Sequence, residues 1–278
     1  MTKPPRSSAD QLIDKLRRDL SELAEHARTA SLGPNIRKKL NKEIANAAGA
    51  LNELLVELDP RKRPNAVFDP GNPRTIGFFV ALALTAQPRL PLQSIGEFYG
   101  SGGYAIYYSG DYPLYAPIRG TETPVYVGQA APGAENARSP VEQGLRLAAR
   151  LNEHRKNICR AESLRIEDFD CRALVVQSGW ETGAENYLIR LFRPIWNKEV
   201  KLVYGLGKHG DSAETRGNRR SPWDTLHSGR QWAAADKIED AKASEKIAEE
   251  LKGHFEKTRV FMTIEELLAN FVQALRQG

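Results

Sequence analysis

Cysteine and long apolar runs are what this sequence most lacks. Only 2 of its 278 residues are cysteines, Cys159 and Cys171, and their spacing is not that of metal ligands. A disulfide-rich scaffold is therefore excluded. The longest apolar run, residues 78–86, is much shorter than the roughly 20 residues of a membrane-spanning helix. Because no signal-type leader opens the sequence, we expect a protein of the reducing cytoplasm and not of a membrane.

Positive charge is in modest excess. The chain carries 40 Lys and Arg against 35 Asp and Glu, which leaves a formal charge of +5 and a pI near 9.1. Its 41% hydrophobic content is too high for a largely disordered chain. The composition predicts a folded protein and suits a polyanionic partner without identifying one.

Residues 8–58 carry two apolar stripes at helical spacing. The first stripe is followed by Gly33 and Pro34, which are typical of a helix break and of the first turn of a new helix. The pattern predicts a helical hairpin whose stripes pack either on the rest of this chain or on a second copy, with the first preferred. The stripe residues are Leu12, Leu16, Leu20 and Leu23, then Ile36, Leu40, Ile44, Leu51 and Leu55.

The middle of the chain mixes strand and helix signals. A proline-rich linker over 59–75 and a short helix over 74–87 come first. Alternating residues around 104–108 and 125–127 then predict two strands, which are joined by the long connection 109–123. A helix over 139–158, a third strand over 169–177 and a helix over 184–193 follow, with further helices at 236–257 and from Thr263. This order predicts an α+β fold.

Several residues in this region have the chemistry of a phosphate site. Tyr104 and Tyr126 each stand near a glycine, although strand-end packing would explain either one alone. Arg150 and His154 lie four residues apart and so share one helix face, where surface solvation is the alternative. Downstream, Glu185 opens a helix and could be a favourable first-turn charge. Asn197 follows it and could be a turn residue.

Taken in order, these residues resemble the GIY-YIG nuclease superfamily. The two name-giving triplets stand here as Gly102-Gly103-Tyr104 and Tyr126-Val127-Gly128. Four further strings resemble its branch of type II restriction endonucleases, so that the resemblance covers roughly residues 68–233. These strings are residues 106–111, 150–154, 168–176 and 221–227.

The resemblance implies how four of the residues act on a DNA phosphodiester. Tyr126 matches the general base for the attacking water, and Tyr104 the second tyrosine, which helps to place that water. Arg150 matches the arginine that binds the scissile phosphate. The position of His154 belongs to a residue that assists the base. Because a tyrosine titrates near 10 in water, a cation or hydrogen bonds must lower its effective pKa.

The resemblance also implies the fold and the cofactor. It predicts a small three-stranded antiparallel sheet flanked by helices, whereas the helical N-terminal and C-terminal extensions are predicted by the helical patterns outside the range of the resemblance. Glu185 matches the ligand of one divalent cation, Mg²⁺ with Mn²⁺ as a substitute, and Asn197 matches a residue that braces the site. This chain departs from the family at Gln129, where a lysine is common. More of the activation of Tyr126 then falls to His154 and Arg150.

A basic, glycine-containing loop over 205–230 is the first candidate for DNA contacts. Arg119, in the connection 109–123, is a second candidate. The alternative for the loop is a flexible linker that makes only sequence-independent phosphate contacts. The candidate loop residues are Lys208, His209, Arg216, Asn218, Arg219, Arg220 and Arg230.

The resemblance implies a type II restriction endonuclease that cuts duplex DNA at a short, GC-rich palindrome such as CCGCGG. A symmetric site calls for a homodimer or a dimer of dimers, and a restriction system implies a cognate DNA methyltransferase. The alternatives are a repair or mobile-element endonuclease, a catalytically decayed DNA-binding module, and an assembly protein built on the helical ends. The expected domains are a helical hairpin (1–58), a linker and short helix (59–100), the catalytic core (101–200), the DNA-contacting loop (201–233) and C-terminal helices (234–278).

Overall fold

Two compact units divide the chain, Met1–Asn65 and Ala66–Gly278. The structure is a computed structural model, and it describes residues 8–61, 68–134, 136–207, 219–234 and 238–277. Among these residues, no helix is long and apolar enough to cross a membrane.

The first unit contains the two helices that the apolar stripes predict. Helix α1 spans Ser8–Thr29 and helix α2 spans Pro34–Glu57, with Pro34 in the first turn after Gly33. Proline fits there because the first amides of a helix have no partner inside it. Neither helix contains a buried residue.

The second unit is built around one antiparallel sheet. Its order is β1-β4-β2-β3, which places β2 inside the sheet and β3 at an edge. In chain order its elements are α3 (Pro73–Thr85), β1 (Leu90–Pro91), β2 (Gly102–Tyr108), β3 (Tyr126–Ala130), α4 (Pro140–Gln143), α5 (Arg146–Cys159), β4 (Phe169–Val175), α6 (Glu181–Phe192), α7 (Pro222–Leu226), α8 (Ser244–Lys257) and α9 (Ile264–Gln277). The predicted α+β class is confirmed, but the sheet has four strands instead of three.

The additional strand, β1, lies in the stretch that the sequence marks only as proline-rich. Leu90 and Pro91 pair with Cys171 and Asp170 of β4. Proline lacks the backbone amide that an inner strand needs, so it is confined to sheet edges. A two-residue edge strand that contains proline has no recognisable pattern of its own.

Both faces of the sheet are covered, and every residue of β2 is buried as a result. On one face Tyr104, Ile106 and Tyr108 join a core cluster that includes Leu147 and Leu151 of α5. On the other face the residues of β2 pack among side chains from α3, α6 and α9. Helices α5 and α6 therefore lie on opposite faces, and both contact the edge strand β3.

The helix expected over 139–158 is divided in two. Helix α4 ends at Gln143, Gly144 follows with φ 77°, and α5 begins at Arg146. A positive φ suits glycine because it has no Cβ. At the break the Gly144 carbonyl accepts a hydrogen bond of 2.8 Å from the Gly100 amide, and the Leu147 amide donates to the Gly100 carbonyl at 3.0 Å. The break thus joins the start of α5 to the chain entering β2.

The last two helices agree only partly with the sequence pattern. The charged helix expected from residue 236 begins as α8 at Ser244. Helix α9 follows Thr263, as predicted, and begins with a capping box. The Glu266 amide donates to Thr263 Oγ1 at 3.3 Å, and the Glu266 carboxylate accepts from the Met262 amide at 2.9 Å. Such reciprocal bonds satisfy amides that a helix start leaves unpaired.

Candidate active site

The two motif tyrosines meet over a glycine of the edge strand. In the register of β2 and β3, Tyr104 lies opposite Gly128, two residues beyond Tyr126. Their ring centroids are 6.0 Å apart. A Cβ on Gly128 would stand 2.5 Å from Tyr104 Oη and 3.0 Å from Tyr126 Cε1, closer than real contacts allow. The glycine of the second motif therefore leaves the space that the two phenols occupy.

Helix α5 brings the predicted histidine and arginine to the same place. His154 Nε2 lies 2.7 Å from Tyr104 Oη, and the His154 ring centroid lies 4.9 Å from that of Tyr126. Arg150, one turn earlier, is partly exposed and pairs with Glu153 at 2.6 Å. Because β2 and β3 present their tyrosines on the face that α5 covers, all four side chains gather around one point.

The electrostatics differ between the buried and the half-buried groups. Burial, and then the neighbouring Tyr126, hold the pKa of Tyr104 well above its usual value, although Arg150 opposes this. The pKa of His154 is lowered to about 3 by burial and by the charge of Arg150. His154 is therefore neutral at physiological pH and hydrogen-bonds Tyr104. Tyr126 is only half-buried, so it is the phenol that solvent can reach.

Glu185 approaches from the other face of the sheet, on α6. Its pKa is raised to about 6, first by burial and then by the charge of Glu199, while Lys198, Arg150 and a hydrogen bond with Gln129 act in the opposite direction. The Arg150 charge also lowers the pKa of Tyr104 on the first face. Since β3 is the edge strand, groups from both faces can meet around it, and Arg150 acts on both.

Gln129 and Asn197 hold the outer side of this edge. Asn197 Oδ1 accepts from the Val127 amide at 3.0 Å and Nδ2 donates to the Val127 carbonyl at 2.9 Å. These are backbone groups that an edge strand otherwise leaves unpaired. Thr182 Oγ1 donates to Gln129 Oε1 at 3.2 Å, which turns the amide group of Gln129 toward Glu185. The position where lysine is common is thus occupied by a neutral donor to Glu185.

The comparison with protein-family models decides the family. The model of the Eco29kI GIY-YIG domain, a restriction endonuclease family, matches residues 96–255, more than half of the chain. The chain belongs to the Eco29kI GIY-YIG family. A search of curated proteins finds no match. Membership supports a restriction-type nuclease, and the matched range contains all six predicted catalytic positions.

The predicted DNA-contacting residues of this family member other than Arg230 divide into three groups. Lys208, His209, Arg216 and Asn218 lie outside the described residues. Two others form ion pairs: Arg219 lies 3.6 Å from Glu239, and Arg220 lies 3.4 Å from Asp240. Arg119 is exposed.

Arg230 has a different place from the one its sequence context suggests. Its side chain is 3% exposed and its Nε donates to Asp224 Oδ1 at 2.6 Å. The remaining guanidinium groups donate to the carbonyls of Gly205, Leu206 and Gly207 at 2.6–3.2 Å. Arg230 therefore binds the backbone just before the basic segment, and it is not a DNA contact. A basic residue in a glycine-containing loop carries no signal that separates these two uses.

A second buried cluster supports the first and was not found from the sequence. Tyr115 Oη lies 2.6 Å from His227 Nε2 and accepts from Trp196 Nε1 at 2.9 Å. Trp196 directly precedes Asn197, so this cluster fixes the turn that reaches β3. The resemblance of the 221–227 string to the family is the one signal that pointed to His227.

Proposed function

We propose that this chain is a site-specific deoxyribonuclease that hydrolyses both strands of duplex DNA at a short, GC-rich palindrome with one divalent cation. The main support for this proposal is the position of Arg150. Its charge acts on Tyr104 and Tyr126 on one face of the sheet and on Glu185 on the other. An arginine whose charge acts on both a potential base and a potential metal ligand is suited to a phosphodiester.

The chemistry assigns a separate task to each side chain. Hydrolysis brings a water oxygen onto phosphorus while the bond to the leaving oxygen breaks, and negative charge builds on the phosphoryl oxygens. Arg150 neutralises part of that charge. Tyr126 in its phenolate form accepts the proton of the attacking water. Tyr104 and His154, which are buried beside Tyr126, support it. Asn197 holds the backbone of β3 in place.

The carboxylate of Glu185 is a ligand that suits magnesium. Magnesium prefers oxygen ligands and keeps several waters, so one carboxylate with phosphate oxygens can hold it. With a pKa of about 6, Glu185 is ionised at neutral pH. No group of three or more His, Cys, Asp or Glu side chains gathers within the described ranges. Glu185 would hold the ion, which would supply Lewis-acid stabilisation of the phosphoryl group, and Mn²⁺ would serve as a substitute.

The remaining parts of the proposal concern binding and assembly. Residues 101–200 act as the catalytic core, and residues 201–233 contribute DNA contacts through Lys208, His209, Arg216, Asn218, Arg219 and Arg220, with Arg119 beside them. The flanking segments 1–58, 59–100 and 234–278 extend this core. A palindromic site requires two-fold symmetry, so the active form is a homodimer or a dimer of dimers. A cognate DNA methyltransferase protects the host DNA.

Digestion of mapped DNA tests the proposal directly. The purified protein with Mg²⁺ is incubated with several plasmids, and the ends of the products are sequenced. We expect discrete fragments with one common end sequence, and no cleavage in excess EDTA. Nicking confined to damaged DNA would instead identify a repair enzyme, and one long asymmetric site a mobile-element enzyme.

A matched pair of variants tests the metal ligand. Glu185→Ala should abolish cleavage and leave binding to the same DNA largely intact, whereas Glu249→Ala, an exposed glutamate of α8, should cleave normally. Binding is measured by gel shift with Ca²⁺ in place of Mg²⁺. Unchanged cleavage by Glu185→Ala would remove its assignment. Specific binding without cleavage by the wild-type protein would identify a decayed nuclease.

A further inference from the structure

Two buried histidines in this unit each contact a tyrosine hydroxyl through Nε2. His154 Nε2 lies 2.7 Å from Tyr104 Oη, and His227 Nε2 lies 2.6 Å from Tyr115 Oη. Burial, together with a nearby arginine, lowers the pKa of both rings to about 3. Each ring is therefore neutral and carries one N–H, at either Nδ1 or Nε2. Which nitrogen carries it decides whether the tyrosine donates or accepts.

The neighbours of His227 settle its proton. Its Nδ1 lies 2.7 Å from Ser163 Oγ, and Ser163 Oγ in turn donates to the Leu226 carbonyl at 3.4 Å. The contact with Leu226 is long for a hydroxyl donor, so the stronger constraint comes from Tyr115, whose oxygen accepts from Trp196 Nε1 and whose one proton is then donated to His227 Nε2. The proton of His227 is therefore on Nδ1.

The surroundings of His154 lead to the opposite tautomer. Its Nδ1 is buried, and no group of the described residues lies within hydrogen-bond distance of it. A proton on Nδ1 would be an unpaired buried donor, whereas a bare lone pair there is tolerated more readily. The proton of His154 therefore belongs on Nε2, from which it is donated to Tyr104.

The hydrogen-bond capacity of Tyr104 then fixes the next bond. A phenol has one proton and can accept two bonds. Tyr104 Oη lies 2.7 Å from His154 Nε2, and the ring centroids of Tyr104 and Tyr126 are 6.0 Å apart. His154 fills one acceptor position of Tyr104, and Arg150, whose charge acts on both phenols, can only donate. The oxygen of Tyr126, the neighbouring phenol, is then the acceptor toward which the Tyr104 hydroxyl proton can point.

We propose that His154 is a positioning residue that carries its proton on Nε2 and so directs the hydroxyl of Tyr104 to donate to Tyr126. The meaning of this bond for cleavage rests on the proposed function, because a donor to Tyr126 stabilises the phenolate that accepts the water proton. His154 itself takes no proton from water. Arg150 and His154 thus support Tyr126 through Tyr104.

Nitrogen NMR of the wild-type protein tests the tautomer without any reference to activity. Protein labelled with ¹⁵N-histidine is recorded at neutral pH in EDTA, and two-bond ¹H–¹⁵N correlations show which ring nitrogen carries the proton. The variants His154→Gln and His227→Gln assign the signals among the 5 histidines. We expect the proton of His154 on Nε2 and that of His227 on Nδ1. His154 protonated on Nδ1, like His227, would overturn the proposal.

Cleavage kinetics test the consequence for catalysis. His154→Phe keeps a ring of similar shape but has no donor, and we expect kcat to fall about ten- to a hundredfold with little change in KM. Glutamine places an amide nitrogen near the position of Nε2, so His154→Gln should recover part of that rate. Equal losses in both variants would contradict the donor role. If the wild type cleaves no DNA, the proposed function fails while the NMR result still decides the tautomer.

Discussion

Replacing Glu185 by glutamine should stabilise the metal-free fold while it abolishes cleavage. The folded protein raises the pKa of this carboxyl from its usual 4.5 to about 6, mainly by burial and by the charge of Glu199. That rise corresponds to about 2 kcal/mol of unfavourable free energy for the ionised form. Glutamine has nearly the same shape without the charge, so Glu185→Gln should gain up to about 2 kcal/mol of unfolding free energy at pH 7.5.

The pH dependence has a definite sign. A carboxyl whose pKa is raised on folding binds its proton more tightly in the folded state, so the destabilisation is complete above about pH 6 and disappears as the pH falls to about 4.5. Urea unfolding of both proteins in EDTA at pH 7.5 and 4.5 measures the difference. Glu249→Gln, on the exposed face of α8, removes the same charge and serves as the control. A variant no more stable than the wild type at pH 7.5, or an equal gain at both pH values, would refute the reasoning.

Three further substitutions test separate parts of the site. Gly128→Ala places a Cβ 2.5 Å from Tyr104 Oη, so plasmid cleavage should fall at least about tenfold while gel-shift binding to DNA persists; normal cleavage would contradict this geometry. Asp224→Ala leaves Arg230 buried without its partner, which should cost about 3–5 kcal/mol in urea unfolding, and a loss below about 1 kcal/mol would show that the pair is not needed. Gln129→Lys places a cation beside the carboxylate of Glu185, the proposed metal ligand, so the Mg²⁺ concentration for half-maximal cleavage should rise severalfold, and an unchanged or lower requirement would count against that contact.

Sequence patterns were reliable where the signal is local. Strands β2 and β3, the helices α3 and α6, and the capping box at Thr263 all follow from alternation, helical spacing and capping residues within a short stretch. The order of the motif residues was sufficient to recognise the family. None of these signals depends on which distant segment lies nearby.

Features set by distant contacts were wrong or absent at the level of sequence. Nothing local distinguishes Arg230, which binds buried carbonyls, from Arg219, which is exposed. The strand β1 exists because β4 pairs with it, and α4 and α5 are separate because Gly144 bonds to Gly100. The order of the motifs gave no hydrogen-bond partner for His154, and the structure shows Nε2 against Tyr104.

The sequence by itself therefore determined the family and the α+β class, and it supplied the set of residues that we propose act on a phosphodiester. Only the tertiary structure decided that these residues meet around an edge strand, with Tyr104 and His154 buried and Tyr126 half-exposed. The physical reason is that residue type and spacing set what a side chain can do. Burial and hydrogen-bond partners, which set its charge and the direction of its protons, come from segments far away in the chain.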